Sequence, residues 1–276
     1  MKTYKLIPIV LFSLITSIVF SQKVVKIDEK TRHYFEIPTS VEKTDYAVHF
    51  KNIVSKFDYI KFAVLLENKT SDYLIWNNAN NKVIITDGDK DASKIKIYKV
   101  RPYKTINRTF DARGGNQLLV NDFKFVINGV SRVPSKGNVQ KIEDFKLPQS
   151  KNKIESGNFS IVLTKSKKKT DETAVYFEAT YNGDDFAILT LNEISVRVND
   201  NDVFANDNRK DTPYLLTKGD NLKIKCLFHI PARVVDMQFA DMYIQFNNAF
   251  VESKAIPLSG SEVVFQLDEE LTKEKN

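Results

Sequence analysis

The chain holds one cysteine, three histidines, one tryptophan, nine glycines and eight prolines in 276 residues. A single cysteine excludes a disulfide framework and any multi-cysteine zinc site. Three histidines, His33, His49 and His229, leave little material for an imidazole-built metal centre. Scarce glycine and proline beside 42% hydrophobic and 28% charged residues exclude a collagen-like repeat, a low-complexity linker and a disordered chain. G-x-S-x-G, H-E-x-x-H and a phosphate-binding glycine loop are also missing. Beyond Phe20 no apolar run approaches the roughly 18 residues of a membrane-spanning helix.

What is present begins with an address. Lys2 and Lys5 precede the uncharged run Leu6 to Phe20, and Ser21 supplies a small residue at its exit. A helix of that length reaches roughly 22 Å, short of the roughly 30 Å hydrocarbon core. The expectation is a signal peptide over residues 1–21, cleaved to leave Gln22. No cysteine follows to carry a lipid. The mature chain is expected to be exported, periplasmic or secreted, with no stable membrane span. Loss of the leader lowers the net charge from +6 to +4. Residues 23–150 carry 23 basic and 15 acidic side chains, and residues 151–276 carry 16 and 20. That asymmetry permits an acidic partner for the first half or electrostatic contact between the halves, and scattered charge on a solvated surface would look the same.

Hydrophobic periodicity after the leader is two. Ile60, Phe62, Val64 and Leu66 alternate with Lys61, Ala63, Leu65 and Glu67, and Phe123, Phe125 and Ile127 alternate with polar neighbours. The pattern recurs at Phe159–Leu163, Ile224–Ile230, Met242–Phe246 and Val263–Leu267. Such alternation places one face of a strand on a core and the other in water. Only Val139 to Phe145 and the charged tail from Asp268 hint at helix.

The turns suggest a duplication. Asn68-Lys69-Thr70-Ser71-Asp72 precedes Tyr73-Leu74-Ile75-Trp76, as Asn182-Gly183-Asp184-Asp185 precedes Phe186-Ala187-Ile188-Leu189. Gly114-Gly115-Asn116 with Arg132-Val133 is expected to match Gly219-Asp220-Asn221 with Arg233-Val234. The predicted fold is all-β: two tandem immunoglobulin-like antiparallel β-sandwich domains, residues 22–150 and 151–276, joined within Arg132 to Asn158. Within the joint, Asp144 to Pro148 reads as a short docking segment. The architecture resembles tandem immunoglobulin-like modules in a general way. It lacks their Cys…Trp…Cys signature, and no motif identifies a named family.

Candidate sites are loops and isolated aromatics. Asp87, Asp89 and Asp91 alternate in a way that could aim carboxylates at calcium. An EF-hand loop, however, would need Gly and Glu where Ala92 and Tyr98 stand. A second oxygen-rich stretch runs from Asn199 to Asn208. Lys165 to Lys169, with Lys167, Lys168 and Lys169 at its centre, forms a basic hairpin tip between two strands. Trp76 with Tyr73 could stack a sugar or anchor a partner, although a core position suits the aromatic better. His49 and His229 have no sequence-adjacent serine or carboxylate that resembles a triad. Cys226 shares the apolar face of Ile224 and Phe228 and reads as structural. Three N-x-S/T sites begin at Asn68, Asn107 and Asn158.

The expected function is therefore non-enzymatic binding or assembly with a protein or glycan partner at the cell envelope or outside. No nucleic acid is expected and no cofactor is required, calcium being the one candidate ion. The alternatives are a carbohydrate-binding protein and a hydrolase with dispersed carboxylates.

Overall fold

The computed structural model describes residues 30–114, 117–148, 151–199, 202–208 and 212–276. The leader and its cleavage point lie outside these residues, as do Gly115-Asn116 and Asp200-Asn201. Among the described residues no helix is long and apolar enough to cross a membrane.

The first series of strands is β1 (His33–Tyr34), β2 (Val41–Glu42), β3 (Tyr46–Lys56), β4 (Tyr59–Asn68), β5 (Tyr73–Asn77), β6 (Lys82–Ile85), β7 (Gly88–Asp91), β8 (Ile97–Val100), β9 (Thr105–Arg113), β10 (Asp122–Ile127) and β11 (Val130–Val133). Then come β12 (Asn138–Val139) and β13 (Phe145–Leu147). The second series is β14 (Lys153–Ser156), β15 (Phe159–Lys168), β16 (Glu172–Tyr181), β17 (Phe186–Leu189), β18 (Ser195–Val198), β19 (Asp202–Ala205), β20 (Tyr214–Leu216), β21 (Asn221–His229), β22 (Met242–Gln245) and β23 (Phe250–Ser253). The chain ends with β24 (Ile256–Pro257), β25 (Ser261–Gln266) and helix α1 (Glu269–Lys275). The fold is all-β and antiparallel.

In the first unit the sheet β1-β3-β4-β9 packs on β25-β10-β6-β7, while β24-β11-β5-β8, built from the chain segments next to those strands, forms a further sheet. The alternation read from the sequence makes this possible. Phe62 of β4 lies 4.9 Å from Phe125, 5.3 Å from Phe265 and 5.4 Å from Phe110, ring centre to ring centre. The interior is filled by these rings and the aliphatic residues around them. The second unit repeats the plan with β14-β15-β16-β21, β13-β22-β18-β19 and β12-β23-β17-β20. The starts of β5 and β17, β9 and β21, β10 and β22, and β11 and β23 lie 113, 116, 120 and 120 residues apart.

Two expectations are corrected. The landmark pair Arg132 and Arg233 is not equivalent: Arg132 lies in β11, whereas Arg233 lies in the turn after β21. The counterpart of β10–β11 is β22–β23, and similar Gly/Asn turns had masked it. The division at residue 150 also departs from the pairing. The chain leaves the first unit at β11, and β12 and β13 join the second, with Asn138 opposite Glu252 and Phe145 opposite Ile244. From the far end, β24 and β25 return to the first unit, with Arg132 opposite Ile256 and Phe125 opposite Val263. The second unit is therefore one continuous stretch, residues 138–253, inserted before the last two strands of the first. The docking segment Asp144–Pro148 contains β13, so Val139 to Phe145 enters strands, not a helix.

The tail forms α1, with Asp268 as its N-cap accepting from the Leu271 N–H at 2.8 Å. Asn276 ties the helix end back to the Arg32 carbonyl at 2.6 Å. By pairing, residues 30–133 with 256–276 carry 20 basic and 16 acidic side chains, and residues 138–253 carry 15 and 17. The returning acidic tail thus softens the charge asymmetry.

Both crossings run side by side, and there Gly137 is needed: a Cβ would sit 2.1 Å from the Glu252 carbonyl oxygen. The outer faces of two sheets meet between the units through Tyr73, Ile75, Val133, Ile188, Leu215 and Val251. This explains why Tyr73-Leu74-Ile75-Trp76 shows no alternation. Leu74 and Trp76 enter their own sandwich while Tyr73 and Ile75 face the second unit. Lys99 adds an ion pair across the contact, 2.7 Å from Asp220. Burial alone would raise the Asp220 pKa, but Lys99 and the Thr217 N–H and hydroxyl hold it below the ordinary range.

Candidate binding groove

The loop between β7 and β8 folds down onto the outer face of β4 and β9. Ala92 bridges Ala112, and the Ser93 N–H donates to the Asp111 carbonyl at 2.7 Å. Asn78, buried in the turn after β5, pins the other side. Its amide donates to the Lys94 carbonyl at 2.9 Å and its oxygen accepts from the Lys96 N–H at 2.6 Å. Between loop and sheet lies a cavity of about 300 Å³, lined by Lys61, Ser93, Lys94, Lys96, Tyr98, Thr109 and Asp111, with Asn78 and Ala92.

The charges in this groove are unbalanced. Lys61 stands directly opposite Asp111 across the β4–β9 pair, but Asp111 is engaged by Arg113, with Nε 3.1 Å from both carboxylate oxygens. Among the described residues Lys61, Lys94 and Lys96 form no ion pair, whereas Lys69, Lys82, Lys99, Lys146 and Lys169 all do. A fourth cation stands beside the groove. The Arg108 guanidinium lies 5.2 Å from the centre of the Tyr98 ring, whose centre is 5.4 Å from Trp76.

The aromatic site expected at Trp76 and Tyr73 is therefore corrected. Trp76 is 2% exposed, so its indole has no open face for a sugar. Tyr73 is also buried, and its hydroxyl donates to the Pro213 carbonyl at 2.6 Å across the unit contact. Both residues are packing anchors.

The basic tip divides. Lys167 is exposed and Lys169 pairs with Glu172 at 2.8 Å. Lys168 donates to the Ala240 carbonyl at 2.7 Å, and partial burial lowers its pKa. That lysine is an anchor for the turn after β21. A hollow of about 370 Å³ on the outer face of the second unit also holds cations, Lys165, Lys223 and Lys225, but Glu178 lies there 3.7 Å from Lys223.

Asp87, Asp89 and Asp91 are spread along the β6–β7 hairpin, where Lys82 sits 3.3 Å from Asp89. Among the described residues no group of three or more His, Cys, Asp or Glu is placed to hold a metal. In the second acidic stretch Asn206 is structural: its oxygen accepts from the Asn208 and Leu227 N–H groups.

Sequence reasoning missed two histidine arrays that tertiary pairing assembles. His229 Nδ1 lies 2.8 Å from Asp207 and Nε2 3.3 Å from Glu172, and hydrogen bonding to these carboxylates raises its pKa. His49 Nδ1 lies 2.6 Å from the Ser40 hydroxyl and Nε2 3.7 Å from Glu67. In hydrolytic triads the serine meets Nε2 and the acid meets Nδ1, so this array has the reverse order. Cys226 is fully buried, and burial pushes its thiol up to about 12, which suits the structural role expected of it. Asn68 is buried too, its amide donating to the Asp72, Val100 and Arg101 carbonyls, so the folded chain offers no acceptor there for a glycan.

No protein-family model matches the chain, and no curated protein does. Among solved structures it aligns with the crystal structure of AerE from Microcystis aeruginosa at 11% identity, over 86% of this chain and 99% of that one, with a TM-score of 0.14. At that score the likeness decides neither fold nor function.

Proposed function

We propose that this chain is an exported, non-enzymatic protein of two immunoglobulin-like sandwiches that acts in binding or assembly at the cell envelope or outside. We further propose that its first unit takes an anionic partner in the Lys61–Lys94–Lys96 groove. Export rests on the leader. The immunoglobulin-like reading is supported by strand order: β3-β4-β9 facing β25-β10-β6-β7 follows the A-B-E and G-F-C-C′ arrangement of such domains.

One observation carries the binding reading: three lysines without carboxylate partners converge on one formed cavity, whose single carboxylate, Asp111, is engaged by Arg113. Unpaired cations that converge on a concavity attract counter-ions and raise association rates. Buried side chains fill both interiors, which supports a ligand site on the outer surface. The buried Trp76 takes away the feature on which carbohydrate stacking rested, and the reversed Ser40–His49–Glu67 order gives hydrolysis no support.

The test is retention of the mature chain on polyglutamate and on a sulfated polysaccharide. Binding is expected to weaken steeply as salt rises from roughly 0.05 to 0.5 M, because exposed charges are screened within a few ångströms at the upper value. Lys61→Glu/Lys94→Glu/Lys96→Glu should lower retention by at least about tenfold and leave the melting temperature unchanged. Equal retention of the variant would overturn the reading.

A further inference from the structure

The groove has a wall with unusual chemistry. From Ser93 the chain reads Ser93-Lys94-Ile95-Lys96-Ile97-Tyr98-Lys99, strict alternation leading into β8. Lys94, Lys96 and Tyr98 turn toward the groove. Ile95 and Ile97 turn the other way and are 71% and 62% exposed. β8 pairs with β5 on one side and ends its sheet on the other.

Natural edge strands are usually blunted, and lysines alone would do that. Two large isoleucines left in water beside them do the opposite. They also continue an existing apolar surface. Tyr73 and Ile75 of the neighbouring strand lie on the same outer face, where the second unit covers them, and the strip runs on uncovered to Ile97 and Ile95. Lys99, next on that face, reaches the second unit at Asp220.

Resting on the anion-binding reading above, we propose that the partner is an extended polypeptide of alternating acidic and apolar residues, which adds as a strand to the free edge of β8. Successive side chains of a strand point to opposite faces. Such a segment would set its acids toward Lys94 and Lys96 and its apolar residues against Ile95 and Ile97. Main-chain hydrogen bonds give the affinity in this mode and alternate side chains give the specificity. A polyanion without a pairing backbone, such as a sulfated glycan, would use the lysines and leave the isoleucines untouched.

The probes are two synthetic peptides of one composition: glutamate and valine in alternation, and the same residues in two blocks. Fluorescence anisotropy with the full mature chain should show the alternating peptide binding at least about tenfold tighter, a difference of about 1.4 kcal/mol. Ile95→Asp/Ile97→Asp, at exposed positions, should abolish that preference and leave retention on the sulfated polysaccharide intact. Equal binding of both peptides, or no effect of the isoleucine variant, overturns strand addition while the anion reading stands. Loss of peptide and polysaccharide binding alike from the wild-type chain overturns both.

Discussion

The two units share one scaffold and differ at one corner. In each, the loop after β7 or its counterpart β19 docks on the long strand that follows, β9 or β21. The Ser93 N–H donates to the Asp111 carbonyl in the first unit, and the Asp207 N–H donates to the Leu227 carbonyl in the second, each at 2.7 Å and each two residues from the strand's end. In the second unit the corner is closed by charge: Asp207, His229, Glu172 and Lys169 satisfy one another. In the first, three lysines face a cavity with their only carboxylate already taken. The comparison teaches that the scaffold does not define a site. What distinguishes a site from a solvated surface here is which charges the fold leaves without partners.

The largest effects should come from the strands that complete each sandwich next to the crossings between units. Phe265 of β25 stacks 4.6 Å from Phe123 in the first unit, and Phe145 of β13 lies 5.4 Å from Phe177 in the second. Each residue truncated to alanine should cost about 3–5 kcal/mol in chemical denaturation, typical for a buried phenylalanine. Because β25 reaches the first unit only after the chain has passed through the second, both variants are expected to shift one common transition. Two separate transitions would show that the units melt independently. The return of β25 to the first unit is read from Lys124→Cys/Val264→Cys in a Cys226→Ala background, since those residues lie directly opposite. An intrachain disulfide at that pair is expected, and free thiols would contradict the register.

Smaller effects sharpen the contrast at the corners. Lys168→Ala should cost about 1 kcal/mol through the lost hydrogen bond to the Ala240 carbonyl, whereas Lys167→Ala should leave the melting temperature unmoved. His229 is held protonated by Asp207 and Glu172, so its raised pKa adds stability that is complete below its ordinary value of 6.5. That contribution fades as pH rises through the raised value. The melting temperature of His229→Ala should therefore fall furthest below wild type under pH 6.5 and converge on it in alkaline buffer. An unchanging gap would remove the carboxylates from the explanation. The smallest expected response is to calcium: with Lys82 beside Asp89, millimolar calcium should not shift the melting temperature.

Local patterning carried the strands and the first half of the repeat. Period-two alternation placed Phe62, Phe125, Phe159 and Cys226 inward, and the Asn68 and Asn182 turns marked equivalent hairpins. The insertion of the second unit before β24 was not legible, because β13 and β25 have the same alternation whichever unit they join. Only long-range register distinguishes those outcomes. Trp76 was open to two readings because an aromatic after a turn can face out or in. Its neighbours Tyr73, Leu74 and Ile75, apolar at every position, held the signal that this strand is buried on both faces. The groove was invisible for a different reason. Lys61, Lys94 and Lys96 each look like a solvated lysine until the β7–β8 loop lands on β9, and the Asn77-Asn78 turn that pins the loop carried no motif.

Lysine-reactivity footprinting with and without polyglutamate tests the central claim most directly, since it compares both units in one sample. Protection confined to Lys61, Lys94 and Lys96, with Lys165, Lys167 and Lys225 labelling as before, is the predicted result. Protection of the second unit's lysines to the same degree, or of the tip at Lys167 alone, would contradict it.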